Sequence, residues 1–225
     1  MTPEDPADDE GWSARHDGVQ PSPMVRGWLR LVRALAAGPL LRVPPDVLSV
    51  TGVLALAGAL AAVAGPGWPA LAVPLIAAAG LLDGLDGAVA LRTGRARPLG
   101  AVVDAMADRL GDLLLGGVLL ALGAPPAWVA AALALVFLLE YLRARAQAVG
   151  MPGVGAVTVA ERPTRLIVVG LAAAGAAAWP VGVPLLGWEW GLLMALTWTA
   201  VGAVGIAHLL VGVRRSMPPE FPPAR

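Results

Sequence analysis

Six stretches of this chain are apolar for about 20 residues each, the length an α-helix needs to cross the roughly 30 Å hydrocarbon core of a bilayer. They run over about 46–65, 68–91, 99–122, 126–149, 163–180 and 190–213. Backbone in lipid must satisfy its own hydrogen bonds, so runs of this length can only be helical. With 57% hydrophobic residues and a mean hydropathy of +0.72, the chain exceeds what a soluble domain can bury. It reads as an all-α polytopic membrane protein with six transmembrane helices.

Arginine punctuates these runs in a regular way, and there is no lysine. Arg26, Arg30, Arg33 and Arg42 precede the first run, and Arg92, Arg95 and Arg97 separate the second from the third. Arg143, Arg145, Arg162 and Arg165 fall between the fourth and fifth, and Arg214, Arg215 and Arg225 follow the sixth. The other turns carry no basic residue. Trp68, Trp128, Trp179, Trp188 and Trp190 lie near those turns, as an aromatic belt would. By the positive-inside rule, both termini and the arginine-bearing loops face the cytoplasm of a multi-pass plasma-membrane protein.

Outside the runs, residues 1–22 are acidic and Pro-rich and read as a disordered cytoplasmic tail without the features of a signal peptide. Residues 23–41 put Arg26, Arg30 and Arg33 on one side of a helix and read as an amphipathic interfacial helix, or as the cap of the first span. Residues 42–213 form the membrane domain, and 214–225 a Pro-rich cytoplasmic tail. There is no cysteine, which excludes disulfides, thiolate metal sites and a cysteine nucleophile. His16 and His208 are too far apart in sequence to suggest a histidine metal site. Net charge is zero, and nucleic acid is not an expected partner.

Against this background four aspartates stand out, at Asp83, Asp86, Asp104 and Asp108, in the stretch LLDGLDGAVALRTGRARPLGAVVDAMADRLGD. A carboxylate at membrane depth costs roughly 2.5–3.5 kcal/mol on insertion scales, so it persists where something binds it. Asp83 and Asp86 are one helical turn apart at the end of the second run. Asp104 and Asp108 are one turn apart at the start of the third. Antiparallel helices can bring the pairs together near the cytoplasmic interface, and an all-oxygen set suits Mg²⁺ or Mn²⁺ shared with a phosphate substrate. Gly84, Gly87 and Gly100 leave backbone open beside the carboxylates, where a diphosphate can approach. Asp112 continues the same face as a further carboxylate of the site or as the partner of Arg109.

These residues resemble the signature D-x2-D-G-x2-A-R-x8-G-x3-D-x3-D of the CDP-alcohol phosphatidyltransferases. Asp83, Asp86, Gly87, Ala90, Gly100, Asp104 and Asp108 match it without a gap. Leu91 stands where the family has arginine, with Arg92 next to it. Pro45-Asp46-Val47-Leu48-Ser49 is similar to the family's opening of the first span. The resemblance implies transfer of a phosphatidyl group from CDP-diacylglycerol to an alcohol, with release of CMP. It implies two metal ions on Asp83, Asp86, Asp104 and Asp108, with Asp108 also the general base for the acceptor hydroxyl. Gly87, Ala90, Arg92 and Gly100 would face the CDP-lipid, and the enzyme would be a homodimer.

The acceptor is read from arginines further on. Arg143, Arg145, Arg162 and Arg165 suit an anionic acceptor, since guanidinium recognises phosphate through paired hydrogen bonds. These stretches resemble the R-A-R-A and E-R-x-x-R elements of the inositol-phosphate branch of the family, which points to inositol 1-phosphate. Glycerol 3-phosphate would need the same cluster, and the same arginines also serve to fix topology. Outside the family, a small cation-coupled transporter is the rival. The acidic cluster on one side of the bilayer and the scarcity of ionisable groups in the last two runs favour chemistry at the membrane surface.

Overall fold

A computed structural model describes residues 23–35, 38–153 and 155–217. The segments 1–22 and 218–225, read above as tails, lie outside the described residues. Helix α1 covers Pro23–Leu35 and is followed by a 3₁₀ turn at Pro39–Arg42. Six longer helices follow: α2 (Pro45–Ala64), α3 (Pro69–Arg92), α4 (Pro98–Ala121), α5 (Pro126–Ala148), α6 (Arg162–Ala178) and α7 (Trp190–Ser216). There is one for each apolar run, and α7 continues through Arg214 and Arg215 rather than ending before them.

Proline sets where most of these helices begin. Pro45, Pro69, Pro98, Pro126 and Pro163 occupy the first or second position of α2 to α6. The fixed φ of proline suits the first turn, where its missing N–H costs nothing. Helix α3 is closed by Gly94 at φ +66, with the Arg95 N–H donating to the Ala90 carbonyl at 2.9 Å. That left-handed turn reverses the chain between the two aspartate pairs.

Helix α4, which carries Asp104 and Asp108, is the hub. It packs on α2, α5, α6 and α7, while α3 packs on α2 and α6, and α7 on α5 and α6. The main core lies between these helices and includes Leu56, Ile76, Leu115, Leu119, Val136, Val169 and Trp198. The outside of the bundle is apolar as well. Leu54, Val102, Met106, Leu138 and Val204 are all exposed, and only 22–39% of the most apolar windows of α2, α3, α5 and α7 is buried. A surface of that kind requires lipid around it.

Those four helices are each long and apolar enough to cross a membrane. Helix α4 carries Asp104, Asp108, Arg109 and Asp112 within its length, and α6 has 17 residues. Exposed Trp68, Trp128, Trp179 and Trp188 lie in or beside the turns that carry no arginine, and Trp179 stacks on Trp190 with ring centroids 6.2 Å apart. Helix α1 buries Val32 in a small cluster with Leu48 of α2 and Leu85 and Val89 of α3, against which Leu35 packs, and it exposes Arg26 and Arg30. It is amphipathic, as its sequence predicts.

Gly202 and Gly205 of α7 are both buried within the chain. A Cβ on Gly205 would lie 2.5 Å from the Ala160 Cβ, and one on Gly202 3.1 Å from the Leu135 Cβ. Gly205→Leu should therefore force α7 from the start of α6 and lower stability by about 1–3 kcal/mol. Ala203→Leu, on the exposed face of α7, should leave it unchanged. Thermal melts in detergent would check this; equal melting of the two variants would contradict the packing.

Candidate active site

The bundle brings both aspartate pairs together at the end where α3 finishes and α4 begins. Single carboxylate oxygens of Asp83, Asp104 and Asp108 all lie within 4.8 Å of one another. Asp104 is exposed, Asp83 and Asp108 are half-buried, and Asp86 is buried beside them. Asp86 is held differently from the other three. Its Oδ2 accepts a hydrogen bond from Ser49 Oγ at 2.5 Å and its Oδ1 one from the Gly87 N–H at 2.6 Å. Ser49 thus ties the first turns of α2 to the aspartate-bearing face of α3, a link hidden in sequence because 37 residues separate the partners.

Arg162 reaches into this cluster from the first turn of α6. Its Nε lies 2.8 Å from Asp83 Oδ1, its Nη1 lies 3.0 Å from Asp108 Oδ1, and Nη1 donates to the Asp108 carbonyl at 2.9 Å. The approach depends on Gly111, where a Cβ would lie 2.9 Å from Arg162 Nη2. Nothing in the spacing of the aspartates singles out Gly111. Its role exists only once α6 crosses α4.

From Arg162 the charges continue as one chain. Asp108 is 3.7 Å from Arg109, and Arg109 is 3.2 Å from Asp112. Asp112 is 3.1 Å from Arg165, and Arg165 is 3.8 Å from Glu140. Glu140 is 3.4 Å from Arg143, which closes on Glu161 at 2.7 Å. Asp112 is fully buried and Arg165 nearly so. Asp112 does pair with Arg109, as the sequence suggests, but it meets Arg165 equally closely.

Glu161 stands just before α6, and its carboxylate accepts hydrogen bonds from the Thr158 N–H at 2.9 Å and its hydroxyl at 3.1 Å. Burial alone would raise its carboxyl. The bonds from Arg143 and Thr158 outweigh burial and hold the group below the ordinary glutamate value. Glu140 and Glu161 were not among the predicted site residues. The i, i+3 spacing of Glu140 and Arg143 signals the first, whereas Glu161 pairs with Arg143 from 18 residues away, which no local pattern shows.

The remaining predicted residues ring the cluster. Gly87 is exposed with open space where a Cβ would stand, and a Cβ on Gly100 would meet the Arg97 side chain at 3.3 Å. Ala90 and Arg92 are half-buried, while Leu91 is exposed. Arg97 pairs with Asp46, so the α3–α4 loop is tied to the start of α2. Pro44, Pro45, Asp46 and Gly94–Arg97 line an open hollow there. Of the four arginines expected to bind an anion, Arg143, Arg162 and Arg165 contact carboxylates. Arg145 is exposed at the end of α5, without an ion pair among the described residues.

The donor set fits a divalent cation. With Asp86 and Asp104 added to the charge chain, seven carboxylates face four guanidiniums. The surplus negative charge falls at the Asp83, Asp86, Asp104 and Asp108 end, and all the donors there are hard oxygens.

The architecture and the site together define a membrane-embedded, aspartate-based centre, and comparison with known proteins gives its family. The family model for CDP-alcohol phosphatidyltransferase matches residues 42–209. The chain belongs to that family and is a membrane transferase of phospholipid synthesis. It is 34% identical over 201 residues to the phosphatidylinositol phosphate synthase of Mycobacterium marinum, covering 79% of this chain and 83% of that one. It is 37% identical over 111 residues to the archaetidylinositol phosphate synthase of Aeropyrum pernix, covering 48% of this chain and 55% of that one. Among solved structures, the phosphatidylinositol phosphate synthase of Mycobacterium tuberculosis in complex with manganese and citrate superposes with a TM-score of 0.62. The identity is 26%, covering 83% of this chain and 88% of that one. The same enzyme with CDP-DAG bound gives a TM-score of 0.61 at 25% identity, covering 82% and 92%.

Ser49→Ala should leave Asp86 buried without its hydroxyl donor, at a cost of about 1.5–3 kcal/mol for a hydrogen bond to a charged group. Ser49→Thr keeps the hydroxyl and should melt like the wild type. An unchanged melting temperature in Ser49→Ala would show that the bond does not hold Asp86.

Proposed function

We propose that this protein transfers the phosphatidyl group of CDP-diacylglycerol to inositol 1-phosphate and releases CMP. The observation that carries the reading is the convergence of Asp83, Asp104 and Asp108 within 4.8 Å, with Asp86 fixed beside them. The relatives named as phosphatidylinositol phosphate and archaetidylinositol phosphate synthases support the choice of acceptor.

In this reading Asp83, Asp86, Asp104 and Asp108 hold two divalent ions, Mg²⁺ or Mn²⁺. When bound, such ions neutralise the diphosphate and stabilise the charge that develops on departing CMP. Asp108 takes the proton of the acceptor hydroxyl. The acceptor oxygen bonds to the β-phosphorus, which already carries the diacylglycerol, and the bond from that phosphorus to the CMP oxygen breaks. A positioned carboxylate base contributes typically 10²–10⁴-fold. Gly87 and Gly100 leave backbone accessible to the diphosphate, with Ala90 one turn beyond Gly87 and Arg92 at the end of α3. Arg92 takes the part that the family gives to the preceding position, here Leu91.

Arg162 and Arg145 meet the acceptor phosphate in this proposal. Arg143 and Arg165 hold the start of α6 through Glu161 and Asp112. The bundle crosses the bilayer six times, with α4 and α6 included. The polar residues of α4 then face the site, and the 17 residues of α6 reach about 25 Å at 1.5 Å per residue. The alternation of arginine-bearing and arginine-free turns supports a cytoplasmic site and cytoplasmic termini. α1 lies along that surface, with the segments before and after the membrane domain as tails. The assembly is a homodimer, and its contact does not use Gly202 and Gly205, which are buried within the chain.

The test is CMP release by purified protein with CDP-diacylglycerol and Mn²⁺, offering inositol 1-phosphate or glycerol 3-phosphate as acceptor. Release with inositol 1-phosphate that EDTA abolishes is expected. In Asp108→Asn, turnover should fall by at least about 10² while CDP-diacylglycerol still binds. Turnover with glycerol 3-phosphate alone would replace the acceptor, and normal turnover in Asp108→Asn would remove the base.

A further inference from the structure

Arg109, Arg143, Arg162 and Arg165 all contact carboxylates, and of these four Arg162 leans chiefly on carboxylates that a metal ion needs. Arg165 is held by Asp112, and Arg143 by Glu161 and Glu140. Arg109 lies nearer to Asp112, at 3.2 Å, than to Asp108, at 3.7 Å. Arg162 instead contacts Asp83 at 2.8 Å and Asp108 at 3.0 Å, two of the three carboxylates whose oxygens converge. Its next acidic neighbour, Asp112, is 4.0 Å away and already engaged by two other arginines.

We infer that Arg162 exchanges partners during substrate loading: divalent ions take Asp83 and Asp108, and the displaced guanidinium becomes the receptor for the acceptor's phosphate. The inference rests on the metal-site reading above and adds an order of assembly to it.

Burial is what makes the exchange directional. Arg162 is 9% exposed, seated over Gly111, and its backbone is fixed in the first turn of α6 by the Glu161 clasp. A guanidinium in such a position cannot simply turn to water when its carboxylates are taken. An uncompensated buried charge costs several kcal/mol, so it seeks the nearest anion. The hydrogen bond to the Asp108 carbonyl at 2.9 Å can persist through the exchange and keep the group in place, because a metal ion competes for the carboxylate and not for the main chain.

Two consequences follow by linkage. An anion bound to Arg162 removes a competitor from the metal site, so anion and metal raise each other's affinity by one common factor. The acceptor's phosphate is also held poorly until the metal is loaded, which keeps the acceptor out of a site that lacks its catalytic charge.

Mn²⁺ binding to the purified protein, followed by the EPR signal of free Mn²⁺ with and without sulfate as the probe dianion, tests this directly. Sulfate should tighten Mn²⁺ binding about tenfold in the wild type, within the usual range of coupling between sites. Arg162→Met should bind Mn²⁺ more tightly than the wild type without sulfate and should no longer respond to sulfate. Mn²⁺ binding in Arg162→Met that is no tighter, or a sulfate effect that persists there, would overturn the exchange. Should Arg162→Met not fold, the wild-type arm decides alone, since Mn²⁺ affinity indifferent to sulfate would overturn it. A wild type that binds Mn²⁺ without coupling removes only this inference; one that binds no Mn²⁺ removes the metal site as well.

Discussion

Charge buried among apolar helices must be met by opposite charge, and in this protein one continuous line of ion pairs does that. It runs from Asp83 through Arg162, Asp108, Arg109, Asp112, Arg165, Glu140 and Arg143 to Glu161, with each link between 2.7 and 3.8 Å. Helices α3, α4, α5 and α6 each contribute, so the line fixes their relative positions as well as their charges. Removing one member would strand its neighbours in a medium that cannot hydrate them, a far larger penalty than losing an exposed pair. The line is unequal at its two ends. The Glu161 end is closed by hydrogen bonds, whereas the Asp83 end opens on Asp86 and Asp104 with negative charge to spare.

That asymmetry links the fold to the chemistry. The closed end holds the α5–α6 loop and the first turn of α6 still. The open end presents carboxylate oxygens between α3 and α4, where the proposed reaction would take place. Helix α4 sits at the hub of the bundle and carries carboxylates at both depths, Asp104 and Asp108 at the mouth and Asp112 in the buried interior. Gly111, between them, leaves room for the Arg162 guanidinium, which joins Asp83 of α3 to Asp108 of α4.

Much of this was legible in the sequence, and for physical reasons. Apolar runs of span length predict the long helices, and the prolines mark where most of them start. The three- and four-residue spacings of the aspartates predict shared faces that the fold does bring together. What the sequence does not carry is the pairing of residues far apart. Ser49 meeting Asp86 and Gly111 admitting Arg162 depend on how α2 and α6 cross their neighbours, and no local pattern encodes that. The arginines of α5 and α6 illustrate the same limit: their number and spacing suggest an anion site, yet most of them contact carboxylates. Glu140 lies one turn from Arg143 in sequence, but Glu161 meets Arg143 across 18 residues and could be assigned only once the helices were packed.

Asp83, Asp104 and Asp108 are proposed to form a metal centre. Anomalous diffraction at the manganese edge from crystals grown with Mn²⁺ tests it most directly. A peak is expected within bonding distance of carboxylate oxygens from all three residues, with Asp86 at its side. Manganese bound elsewhere in the chain, with these carboxylates unliganded, would contradict it.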